Sequence, residues 1–278
     1  MITLRLPRHA LAIAGLAAVL LLSGCAGGPS TVASTAPPYV TPTYAPGQKL
    51  SSAAALALLR QLYSRLTTAH LDVTSSGTGS GASTLNGDVD FRSTPAAVSG
   101  QLLLALMPTQ TPIKLIFAGG NLYLNIADMT GSQYVETSFS QISAVPGVDL
   151  IDAIDPKAAL TQFSAAISGV TYVGNEAIDG VQADHYTVSL DSAAALKADT
   201  SLFRGAPPDV VKQFTKVTTR PYEDIWVDGQ GNLVQVITTL DGVTTTVNLS
   251  SFGEPVSITA PPASQVTSAD QLGLAPGA

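Results

Sequence analysis

The stretch Ile113-Lys114-Leu115-Ile116-Phe117-Ala118-Gly119-Gly120-Asn121-Leu122-Tyr123-Leu124-Asn125-Ile126 decides the fold. Ile113, Leu115 and Phe117 alternate with Lys114 and Ile116; Leu122, Leu124 and Ile126 alternate with Asn121, Tyr123 and Asn125. A side-chain period of two belongs to a β-strand, because successive Cβ atoms leave opposite faces of the pleat. Gly119-Gly120-Asn121 supplies the reversal, since tight hairpin turns need positive φ angles that glycine adopts without steric cost. The segment predicts two antiparallel strands sharing an aliphatic face.

The same alternation continues on both sides. Upstream, Leu85, Gly87, Val89 and Phe91 alternate with Asn86, Asp88, Asp90 and Arg92, a strand wet on one face. Val98 to Leu106 places Leu102, Leu104 and Leu106 together, and Gln133 to Thr137 adds a short strand downstream. Leu102, Leu104, Leu106, Ile113, Leu115, Phe117, Leu122, Leu124 and Ile126 therefore form a candidate aliphatic wall, low in aromatics, suited to a core or to acyl chains. Before these strands, Ser51 to Ala69 has helical spacing, with Leu58, Leu62 and Leu66 on one stripe and Ser51 or Ser52 as cap.

After them, Phe139 to Val145, Leu150 to Ile154 and a stretch opened by Pro156 and running to Ile167 read as helical. A second meander follows: Val170 to Ala177, Val181 to Leu190, Glu223 to Val227, Leu233 to Leu240 and Val243 to Ser251. Its turns are Asp179-Gly180, Asp228-Gly229-Gln230-Gly231 and Asp241-Gly242, and Asp191 to Ala198 and Pro208 to Phe214 read as helices. Pro261-Pro262 marks the expected end of regular structure. Runs of strands separated by runs of helices, without βαβ alternation, predict an α+β fold with an antiparallel sheet. The two meanders are expected to form one highly curved sheet with helices in its concavity.

The N-terminus addresses the compartment. Arg5 and Arg8 precede Ala10 to Leu22, an apolar run of 13 residues. That pattern is a secretory signal, too short for the ~20 residues of a membrane-spanning helix. Leu22-Ser23-Gly24-Cys25 ends it on the single cysteine of the chain and resembles the bacterial lipobox, whose cysteine is diacylated at the new N-terminus. One cysteine also excludes a disulfide framework. Residues 1–24 are thus read as a signal peptide, and 25–48 as lipidated Cys25 with a Pro-, Ser- and Thr-rich tether. In polyproline II form, Ala26 to Gln48 would reach ~70 Å. Residues 49–266 form the domain and 267–278 a flexible tail.

The chain is 45% hydrophobic and 12% charged over 278 residues, against roughly 25% charged in ordinary soluble domains. Its formal net charge is −7, and loss of Arg5 and Arg8 takes the mature chain to −9. Nucleic acid is excluded as a partner, and the anchor must be acyl chains rather than attraction to anionic headgroups.

Catalytic constellations are scarce. Asp184 and His185 are adjacent on a strand, so their side chains leave opposite faces and cannot act as an orienter-and-base pair; no G-x-S-x-G elbow occurs. His70 is placed at the end of the first helix. Asp88 with Asp90 read as solvated charges, Asp152 with Asp155 as helix-start acids, and Glu223-Asp224 carries no assigned role. Gly77 to Ala82 matches G-x-G-x-x-A, but no helix starts there, so it is read as a strand end or hairpin. Asn248-Leu249-Ser250 is a glycosylation sequon by pattern only. The expectation is a protein that is no enzyme and holds neither metal nor cofactor.

Several segments together resemble a known family. They are Cys25 with its stalk, Ile154-Asp155-Pro156, Gly174-x-Glu176-x-x-Asp179-Gly180-Val181 leading to His185-Tyr186, and Ile225-Trp226-Val227-Asp228-x-x-Gly231-x-Leu233. The most distinctive is Ser251-Phe252-Gly253-Glu254-Pro255-Val256-x-Ile258-x-Ala260-Pro261-Pro262. In this order they resemble the mycobacterial LppX/LprG (LprA, LprF) lipoproteins, carriers of LolA-like shape. The resemblance implies a U-shaped half-barrel whose concave side, closed by helices, encloses an apolar cavity. It implies binding of acylated lipid or glycolipid for the outer mycomembrane, in some cases with a major-facilitator exporter; the lipidated Cys25 places the chain, expected as a monomer, on the periplasmic side of the cell membrane. The rival expectation is a structural or regulatory lipoprotein with a packed core, docking on a membrane transporter.

Overall fold

The computed structural model describes residues 39, 43–77, 80–103, 111–138, 167–191, 222–240 and 243–268. Leu104, Leu106, Cys25 and the stretches expected as helices within 139–166 and 192–214 lie outside them.

After the short strand β1 (Lys49–Leu50), helix α1 spans Ser52–Arg65. Ser51 caps it, its hydroxyl accepting the Ala54 N–H at 3.3 Å, which satisfies one of the orphan donors of a helix N-terminus. Ala55, Leu58, Leu59 and Leu62 form its buried stripe. The helix stops four residues short of the expected Ala69. Leu66 is extended, and Thr68–Gly77 forms strand β2, so His70 sits on a strand rather than at a helix end. Ala69, Leu71, Val73 and Ser75 are buried while Asp72, Thr74 and Ser76 are exposed, a clean period of two.

The first meander continues through β3 (Ser80–Asp90), β4 (Ala97–Leu103), β5 (Ile113–Ala118), β6 (Asn121–Ile126) and β7 (Tyr134–Ser138), with a single helical turn α2 (Ala127–Thr130) before β7. Gly77 pairs with Ser80, so the glycine-rich run is a hairpin. Gly119 and Gly120 take φ of 61° and 83°, the reversal expected between β5 and β6. The second meander comprises β8 (Ile167–Ile178), β9 (Val181–Leu190), β10 (Tyr222–Asp228), β11 (Leu233–Leu240) and β12 (Val243–Ser250).

Strand β12 pairs antiparallel with β2, which joins both meanders, among the described residues, into one 13-stranded sheet ordered β1-β8-β9-β10-β11-β12-β2-β3-β4-β5-β6-β7-β13. The last strand, β13 (Val266–Ser268), departs from two expectations: it follows Pro261-Pro262, and it pairs parallel with β7. A 3-10 turn at Ala263–Gln265, closed by the Gln265 N–H on the Pro262 carbonyl at 2.7 Å, redirects the chain onto that edge. Ser251 to Glu254 bind the start of β2, where Gly253 N–H donates to the Thr68 carbonyl and the Thr68 hydroxyl to the Glu254 carbonyl. The distinctive closing motif thus fixes the point where helix gives way to sheet.

Candidate functional site

One face of the sheet, here the inner face, packs against α1. In an antiparallel ladder directly opposed residues share a face, so the register assigns every inner position. One row runs Tyr172, Tyr186, Ile225, Val236, Val247, Val73, Leu85, Leu102, Ile113 and Ile126, unbroken across ten strands. Beside it lie Gly100, Leu115 and Leu124, then Val98, Phe117 and Leu122. All seven described members of the wall read from the sequence therefore occupy one face, in register.

Their burial is graded. Val73, Leu85, Val236 and Val247 are buried in the core with Leu58, Leu59 and Leu62 of α1. Ile113 and Phe117 are also buried, but Leu102, Leu115, Leu122, Leu124 and Ile126 are only half-buried. Leu102, Leu115 and Leu122 pack against the core cluster while keeping accessible surface.

A second inner row, one step along the strands, is polar: Glu223, Thr238, Thr245, Ser75 and Ser83 face one another across β10, β11, β12, β2 and β3. Thr245 donates to the Ser75 hydroxyl at 3.2 Å, both residues being buried. The Thr238 hydroxyl is buried without a hydrogen-bond partner. Burial, and secondarily the Asp224 charge, pushes the Glu223 carboxyl up to about 7. Tyr63 on α1 is held protonated by burial and by the facing Glu223 charge. Sequence reading left Glu223-Asp224 without a role because the two separate in space: Glu223 looks inward and Asp224 outward.

On the outer face, the resemblance motifs converge. Glu176 accepts the Trp226 Nε1–H at 2.7 Å and contacts His185 Nδ1 at 2.9 Å, and Asp224 contacts His185 Nε2 at 3.1 Å. Asp224 also accepts the Thr187 hydroxyl at 2.6 Å, and the His185 ring stacks on Trp226 at 4.2 Å. Asp184 leaves by the inner face, where it accepts from the Tyr172 hydroxyl at 3.2 Å and Asn175 Nδ2 at 2.9 Å. The strand geometry thus separates Asp184 from His185 as expected. This outer cluster clamps β8, β9 and β10 together. Replacing His185 with alanine is expected to leave the half-buried Asp224 and the exposed Glu176 each short of a partner and lower stability by about 1 kcal/mol, read from the urea midpoint.

The remaining candidates are structural. His70 contacts Asp88 at 2.9 Å, and Asp90 forms a two-point ion pair with Arg92, so neither acid of the Asp88/Asp90 pair is free. Asn248 accepts from Gln235 Nε2 within the sheet. Among the described residues, no group of three His, Cys, Asp or Glu is placed to hold a metal ion. An open pocket of about 400 Å³ lies away from the wall, on the outer side of β6 and β7, lined by Tyr123, Glu136 and the 261–268 segment.

Sequence reading missed that the stalk docks. Tyr44 packs edge-on against Tyr186, and tilted against Tyr172, at centroid distances of 6.4 and 6.0 Å. Tyr39 lies over Gly231, where a Cβ would meet its ring at 2.5 Å. The signal was present as aromatic residues in an otherwise small-residue, Pro-rich segment.

Residues 52–258 match the model of a protein family described as LppX_LprAFG lipoprotein. Among solved structures, Mycobacterium tuberculosis lipoprotein LppX superposes with TM-score 0.51 at 19% identity, covering 75% of this chain and 100% of that one. LprF from Mycobacterium bovis gives TM-score 0.49 at 19% identity, covering 76% of this chain and 93% of that one. Comparison with curated proteins returns no match. Among the described residues, no helix is long and apolar enough to cross a membrane.

Proposed function

We propose, since the chain belongs to the LppX_LprAFG lipoprotein family, that it takes up acyl chains of a lipid or glycolipid on its inner sheet face and carries them toward the outer membrane. In this reading Cys25 is the lipidated anchor on the periplasmic side of the cell membrane, and the sheet curls into a U around an apolar cavity. A membrane exporter is the partner that takes part in the transfer. No catalytic step belongs to the reading.

One observation carries it: the apolar row continues past the part covered by α1, and there Leu102, Leu115, Leu122, Leu124 and Ile126 stay half-buried. A packed-core protein docking on a transporter would close this region. Aliphatic surface left near water costs roughly 25 cal/mol per Å², and an acyl chain laid along the row would remove that cost. Each CH₂ moved out of water is worth about 0.8 kcal/mol, so a long chain needs such a lining to cross an aqueous gap. Binding entropy keeps the net affinity well below that sum.

The full chain purified without detergent is expected to yield co-purifying acylated lipid by mass spectrometry. A chain reproducibly empty, and unable to accept a pyrene-labelled alkyl probe, would overturn the reading. Leu115→Asn combined with Leu124→Asn is expected to weaken that probe at least tenfold, because both side chains lie on the wall and neither is fully buried.

A further inference from the structure

We infer that the row formed by Glu223, Thr238, Thr245 and Ser75 is a subsite for free hydroxyls of the carried lipid, which places an uncharged acylated polyol there. The inference rests on the carrier reading and adds which lipid chemistry the face selects.

The geometry is that of a polar band set against apolar rows. Four consecutive strands, β10, β11, β12 and β2, each contribute one hydrogen-bonding side chain at the same level of the inner face. The next level is wholly apolar: Ile225, Val236, Val247 and Val73. A lipid has the same division, hydroxylated backbone at one end and chains beyond it; with its hydroxyls at the band, its chains would run on to the half-buried Leu102, Leu115 and Leu122, because the second level itself is buried against α1.

One member of the band is also left unsatisfied, while Thr245 and Ser75 bond each other. A buried hydroxyl without a partner costs about 1–3 kcal/mol, and Thr238 holds one. Thr238 stands directly opposite Glu223, whose carboxyl sits where burial favours the protonated form. A carboxyl near its midpoint and a threonine hydroxyl can each donate and accept, which matches a hydroxyl that does both. A phosphate at the same place would meet the Glu223 carboxyl with no Lys or Arg in either row to neutralise it, so the band disfavours an anion. Tyr63 on α1 lies near enough to feel the Glu223 charge, and its protonated hydroxyl adds a donor at that end of the band.

The test uses the full chain and three probes: a 1,2-diacylglycerol with one free hydroxyl, the matching triacylglycerol with none, and the matching phosphatidic acid. The wild-type chain is expected to prefer the diacylglycerol over phosphatidic acid. Thr238→Val, nearly isosteric, is expected to weaken diacylglycerol roughly three- to tenfold while triacylglycerol is unchanged. The same substitution removes an unpaired buried hydroxyl, so the ligand-free variant should melt at a higher temperature. Glu223→Leu is expected to lose the preference and Glu223→Gln, which still donates and accepts, to keep it. Equal loss of diacylglycerol and triacylglycerol, or no loss of either, overturns the subsite and leaves the carrier reading standing. Failure of all three probes and of the pyrene-labelled alkyl overturns both.

Discussion

Gly87→Ala is expected to destabilise the fold by about 3 kcal/mol or more, at the upper end of what overpacking costs. A Cβ at Gly87 would stand 2.1 Å from the Ser99 carbonyl oxygen and 2.5 Å from the Gly100 Cα. Both are backbone atoms, so no rotamer change relieves the overlap and β3 must separate from β4. Gly100 faces Gly87 in the register, and a Cβ there would meet the Asn86 carbonyl at 2.5 Å. Paired glycines of this kind mark places where a sheet bends sharply. Their position supports the proposed curvature, because they lie between Leu71, under α1, and Leu115 of the half-exposed wall. Urea unfolding measures the change, and Gly100→Ala should behave alike. A midpoint unchanged for both variants would mean that the strands have room to part and that the glycines set no bend.

The reason Gly87 was legible as an inner residue but not as a close contact applies to the whole molecule. Alternation assigns faces within one segment, and it placed Leu102, Ile113, Leu115, Phe117, Leu122, Leu124 and Ile126 together before any pairing was known. Distances between strands depend on register, which one segment does not contain. Strand β2 was lost for a different reason. Leu58, Leu62, Leu66 and Ala69 continue a helical spacing, while Ala69, Leu71, Val73 and Ser75 begin a strand, so Ala69 fits both periods. The structure resolves the overlap by ending α1 at Arg65 and tying Thr68 to the segment after β12. Strand β13 depends on a parallel pairing with β7 across more than a hundred residues, beyond the reach of local periodicity. The polar band had no sequence signature at all. Ser75 and Thr245 meet across 170 positions, and each alone reads as an ordinary strand hydroxyl.

Glu223 gives the second large effect, on the pH dependence of stability. Its carboxyl is raised from 4.5 to about 7 in the folded chain, by burial first and by Asp224 second. Below pH 4.5 both folded and unfolded chains hold the proton, and no difference arises. Between the two values the folded chain keeps a proton that the unfolded chain releases, so stability falls as pH rises through this window. Above the folded value both forms are ionised and the penalty is complete. At 1.36 kcal/mol per unit the shift corresponds to about 3 kcal/mol; Glu223 keeps part of its surface accessible, water offsets some of that cost, and about 2 kcal/mol is expected. Asp90 acts with the opposite sign and at lower pH: burial raises its carboxyl, but the Arg92 hydrogen bonds and charge outweigh this and lower it. Its contribution is therefore lost only as the solution becomes acidic. The difference between wild type and Glu223→Gln isolates the Glu223 part, because glutamine carries no charge at any pH. Urea denaturation of both chains from pH 4 to 8 should show wild type losing about 2 kcal/mol relative to Glu223→Gln across pH 5 to 7. Parallel curves would mean that water reaches the carboxyl freely, and the same result would remove the desolvated character on which the hydroxyl subsite depends.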